Sequence, residues 1–188
     1  MRRHTTVRRA TATALAALLL PPFAGLAREF LLGKEIEQIR EAQELDKRTQ
    51  LYVKFAALRL ATFKDRSKGI ESKPGDPLEF YSPADLIYGY TRCLKAVQDN
   101  VDESVNYKRV EARVLAKALT TLKDFAAKSL PELEEASKYA VDRKNEELYR
   151  KVETAFEVTR AAIEGSVEGL RLLKALEKER EQESKKKK

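Results

Sequence analysis

Residues 81–97 read YSPADLIYGYTRCLKAV, and this stretch decides the fold class. Ser82 can cap a helix whose first position is Pro83, because a first-turn proline gives up no helical hydrogen bond. Asp85 stands three residues after Ser82 and completes a short form of the capping box, while Tyr81 and Leu86 are spaced as a hydrophobic staple. From there the apolar residues return with helical period: Leu86 and Ile87, Tyr90, Cys93 and Leu94, Val97, then Val101 and Val105. A break is expected between Asn100 and Asn106, where Asp, Asn and Ser gather.

Working outward, the same period predicts three more helices. The first runs from about Lys34 to Lys64, with Ile36, Ile39, Ala42 and Leu45 on one face. Between Leu51 and Phe63 only Lys54, Arg59 and Thr62 interrupt an apolar segment, which should form the centre of the core. The next helix carries Val110, Val114, Ala118, Leu122 and Phe125 and should stop before Pro131. The last starts at Pro131 and runs beyond Leu173. The polar stretch from Asp65 to Glu79, with two Gly and two Pro, reads as the long loop. No segment alternates apolar and polar residues for long enough to make a strand. The expected fold is all-α, an antiparallel four-helix bundle with an extended C-terminal helix.

The 188 residues suffice for one ordinary domain, and 36% of them are charged, as long solvated helices require. The net charge of +7 is unevenly placed. Residues 1–27 hold Arg2, Arg3, Arg8 and Arg9 and no acid, then an apolar run from Ala10 to Leu20, then Pro21 and Pro22. That order is expected of a cleavable secretory signal peptide, with Gly25, Leu26 and Ala27 supplying the cleavage site. The protein would then be periplasmic or extracellular; an organelle transit peptide is the alternative for an Arg- and Thr-rich, acid-free start. Taking four arginines from +7 leaves +3, and taking off Lys185, Lys186, Lys187 and Lys188 leaves −1. The basic character belongs to the leader and the tail, which argues against a nucleic-acid-binding body. Residues 28–180 are expected to form the single bundle domain, and 181–188 a Lys-rich disordered tail.

Catalytic equipment is sparse. The single histidine, His4, lies in the expected leader, so the mature chain is expected to have no catalytic residues, no metal site and no cofactor. Cys93 is the only thiol, and its place on the apolar stripe marks it as a small buried hydrophobe. Three groups of residues invite a binding role. Phe80, Tyr81 and Tyr88 form a candidate interaction patch, with Tyr90 turned inward by its stripe. Ala161, Gly165 and Gly169 make a small-residue ladder suited to close helix packing, or to a partner helix or homodimer seam. Lys185, Lys186, Lys187 and Lys188 suit weak contact with an anionic lipid surface. The expected function is an exported, non-enzymatic protein that works through protein or envelope-surface contacts. The alternative is a carrier of a small apolar ligand held between helices. A third reading, a nucleic-acid-associated protein, requires that the basic N-terminus be retained.

Overall fold

The computed structural model describes residues 30–106 and 110–186. The expected leader, 1–27, lies outside the described residues. Five helices follow in order: α1 (Gly33–Glu41), α2 (Leu45–Ser67), α3 (Pro83–Asn106), α4 (Ala112–Asp142) and α5 (Glu146–Lys186). The fold is all-helical, with no strand among the described residues.

The start of α3 is where its local chemistry puts it. The Asp85 backbone N–H donates to Ser82 Oγ at 3.1 Å, and the Ser82 N–H donates to Asp85 Oδ2 at 3.0 Å. The stripe from Leu86 to Val101 is buried, whereas Val105 is half exposed. The loop before α3 is held by Arg66, whose guanidinium donates to Ser72 Oγ at 3.1 Å, to the Glu79 carbonyl at 2.8 Å and to the Leu78 carbonyl. Gly69 and Gly75 take the left-handed turns this loop needs, at φ 78° and 86°.

Helices α2 and α3 form one antiparallel pair, and α4 and α5 another. Ion pairs fix how the pairs lie together. Asp46 meets Lys117 at 4.0 Å near the starts of α2 and α4, and Lys64 meets Glu135 at 3.9 Å near their ends. Thus α2 and α4 are parallel neighbours. Lys151 over the Tyr88 ring near the starts of α3 and α5, and Val101 lining one hollow with Leu172 farther along both, set the two helices parallel, with Tyr90 and Thr159 joined between them by a 2.7 Å hydrogen bond. Helices α2 and α5 stand diagonally opposite. The Phe63 and Tyr139 rings close the α2–α4 seam edge-on at 5.8 Å.

Four boundaries differ from expectation, the first being that α3 runs to Asn106 with no break after Asn100. The helix expected over Lys34–Lys64 is broken at residues 42–44, so α1 folds back along α2. An unbroken helix would hold Glu35 and Arg59 roughly 36 Å apart; instead they form a buried ion pair at 2.7 Å. Pro131 neither ends one helix nor begins the next, because α4 runs through it. Both Pro131 and Ala127, whose carbonyl loses its partner, are exposed, so water can satisfy that oxygen. The break comes instead at residues 143–145: Lys144 adopts φ 51°, and Asn145 Oδ1 accepts the Leu148 N–H at 3.0 Å. Finally, α5 continues to Lys186, past residue 181 where a disordered tail was expected, through Glu, Lys, Arg and Gln residues that favour helix.

Arg59 is the other correction. It is no interruption of an apolar segment but a fully buried residue on the inward face of α2. Its two terminal nitrogens donate to Glu35 at 2.7 and 3.0 Å, to the Phe55 carbonyl at 2.9 Å and to the Phe30 carbonyl. Burial works against its charge, but the bonds and charge of Glu35 outweigh it and hold its pKa above the ordinary arginine value. Gly89 is required opposite: a Cβ there would lie 2.7 Å from Arg59 Nε. The clasp fastens α1 and the chain before it to the α2–α3 pair.

Candidate functional site

The candidate site lies at the end of the bundle where α3 stops and α4 begins. Along α5, Val158, Ala162, Gly165, Gly169, Leu172 and Leu176 recur at alternating steps of four and three, the spacing of a coiled-coil seam. Val158 and Ala162 are buried in the bundle. Leu172 and Leu176, on the same seam, are 50% and 51% exposed. Between them and the ends of α3 and α4 lies a 390 Å³ hollow, with Val101 and Val105 on one wall and Leu115 and Leu119 on another. A second hollow of 530 Å³ adjoins it and shares Val105, Leu115, Leu173 and Leu176. Together they form an apolar groove open to solvent.

Among the described residues the charge that lines this groove is acidic: Asp102 lines the first hollow, and Glu111 and Glu177 line the second. The next two positions of the α5 seam are Glu179 and Glu183, both exposed. Beyond Leu176 the helix overhangs the start of α4 by ten residues, about 15 Å.

The small-residue ladder falls partly in this site. Gly169 approaches α4 closely, since a Cβ there would stand 2.9 Å from Leu119 Cδ1. Gly165 has nothing within 4 Å of that position, so it leaves room in the groove. Ala161 is exposed. Lys185 and Lys186 belong to the last turn of α5, while Lys187 and Lys188 lie outside the described residues.

The aromatic residues lie at the opposite end, around the start of α3. Phe80 is 77% exposed, and Tyr81 is half-buried against the core. Tyr88 is half-buried with Lys151 Nζ 4.9 Å from its ring centre, a cation–π contact that occupies one of its faces. Cys93 is fully buried; burial pushes its thiol up to about 12, against the pull of Arg59, so it is protonated at neutral pH. Among the described residues no helix is long and apolar enough to cross a membrane.

No family model, curated protein or solved structure matches this chain.

Sequence reasoning found Gly165 and Gly169 but missed the groove they border. The signal available was the α5 seam itself, whose apolar positions turn to glutamate after Leu176.

Proposed function

We propose that this chain is an exported, non-enzymatic interaction protein whose working surface is the groove between the end of α3, the start of α4 and the α5 seam. One observation carries the reading: an apolar seam that is core at Val158 and Ala162 is left half open at Leu172 and Leu176, beside a ready-made hollow. Contiguous exposed apolar surface with a polar rim marks docking sites in soluble proteins. Export is supported by the basic, then apolar, then small-residue order of residues 1–27. The lack of catalytic equipment is supported by composition, since His4 is the only histidine and Cys93 the only thiol.

The test is native mass spectrometry of the chain isolated from its own host without denaturation. A species beginning at Arg28 supports export, and a stoichiometric protein partner that is lost in Leu176→Glu but kept in Tyr88→Ala supports the groove. A full-length species, or a partner lost in Tyr88→Ala and kept in Leu176→Glu, refutes the corresponding half of the proposal. The hollow also falls within the size range of small-ligand sites. A bound apolar molecule of a few hundred daltons would therefore favour the carrier reading instead.

A further inference from the structure

We infer that the occupant of the groove is a cationic amphipathic helix on a partner protein; this rests on the groove being the working surface. The geometry calls for a helix. The α5 seam keeps its four–three spacing through Leu172 and Leu176, so it offers the alternating knobs and holes that a second helix fills. Among the described residues nothing covers the outer part of the seam, because α3 ends at Asn106 while α5 runs on to Lys186. Gly165 adds clearance at the inner end, with no neighbouring element within 4 Å of where its Cβ would stand. From Gly165 to Leu176 the seam is about 17 Å long, which three turns of helix cover.

The charge calls for a basic helix. Asp102, Glu111 and Glu177 line the hollows, and Glu179 and Glu183 take the seam positions after Leu176. A helix presenting leucines to Leu172 and Leu176 and lysines or arginines to its flanks sets those cations beside Asp102, Glu111 and Glu177. An acidic helix of the same shape meets like charge, which is how an interface rejects the wrong partner.

Three labelled 18-residue amphipathic peptides with one leucine face and a lysine, glutamine or glutamate face are titrated with the full chain by fluorescence anisotropy. The Leu/Lys peptide should bind, and the Leu/Glu peptide should bind at least tenfold more weakly. Gly165→Leu, whose Cβ meets no neighbouring element within 4 Å, should weaken Leu/Lys binding at least tenfold while far-UV circular dichroism stays unchanged. Glu177→Lys with Glu179→Lys should shift the preference toward the Leu/Glu peptide. If Leu/Gln binds as tightly as Leu/Lys and Gly165→Leu abolishes both, the groove is a docking site but its occupant is not selected by charge, and this inference fails alone. If Gly165→Leu leaves binding of all three untouched, the groove reading fails with it. Concentration-dependent self-association that Gly165→Leu abolishes would put a second copy of the chain in the groove and overturn the inference.

Discussion

Removing Glu35 should expose how much of the fold hangs on one buried ion pair. In Glu35→Ala, Arg59 stays fully buried and loses both carboxylate bonds, keeping only the carbonyls of Phe30 and Phe55. Breaking a buried pair by deleting one partner typically costs about 3–5 kcal/mol, because the remaining charge is uncompensated. Against a total stability of about 5–15 kcal/mol for a domain, that is a large share. For a chain of this size it corresponds to a fall in Tm of roughly 6–20 °C, at about 2–4 °C per kcal/mol. The loss should appear in urea unfolding followed by far-UV circular dichroism. If α1 lifts away first, it should appear as lost amide-exchange protection confined to residues 33–41. Replacing both partners, Glu35→Leu with Arg59→Met, should recover most of the loss, since a packed apolar pair of similar volume is often neutral or better. Gly89→Ala should destabilise the native chain, where its Cβ would meet Arg59 Nε at 2.7 Å, and should cost far less in the double variant. A Glu35→Ala chain that loses less than about 1 kcal/mol with α1 protection intact would refute the clasp.

Two further outcomes follow from particular side chains. Gly165→Ala should stabilise the chain by about 1 kcal/mol, because it gains helix propensity without meeting a neighbour, whereas Gly169→Ala should gain little, as it must displace Leu119; thermal unfolding of the two variants checks the difference. Cys93 has its pKa raised by burial from the ordinary 9.0 to about 12, so the stability it contributes is complete below pH 9 and is lost as pH rises from 9 toward 12. Cys93→Ala should flatten urea-unfolding stability over that window, and a thiol reagent at pH 8 should label native Cys93 only at the rate at which the chain opens.

What could be read from the sequence was local. Ser82, Pro83 and Asp85 sit within four residues of one another, and the side-chain hydrogen bonds between Ser82 and Asp85 start α3 where the sequence places it. By the same local logic Pro131 marks a boundary, yet α4 runs through it, and only the exposure of that side of α4 makes it tolerable. Arg59 could not be placed from its neighbours, because its partner Glu35 is 24 residues away and meets it only after the chain turns at 42–44. The ladder at Gly165 and Gly169 could be seen, but not that one glycine touches Leu119 while the other faces open space. That difference depends on which side chains of the neighbouring helices come to lie against α5, which no spacing along α5 encodes.

The same limit applies to Leu172 and Leu176, and it separates two explanations of the groove. By pattern they are core, continuous with Val158 and Ala162; by exposure they are surface. If they belong to folding, the groove is a packing fault at the frayed end of a bundle. If they belong to binding, folding should hardly notice them. Burying a leucine completely is worth about 1.5–3 kcal/mol, so two half-exposed leucines can contribute at most about that much together. Leu119, 4% exposed and packed on Gly169, should by contrast cost about 2–5 kcal/mol as Leu119→Ala, with its cavity added to the lost burial. Glutamine keeps helix propensity and comparable length, so Leu172→Gln with Leu176→Gln isolates the loss of apolar surface. Urea unfolding should then show the double glutamine variant losing clearly less stability than Leu119→Ala, while binding to the Leu/Lys peptide falls sharply. A double variant as damaged as Leu119→Ala would make these leucines part of the core, and the seam would be finishing the fold rather than offering it to a partner.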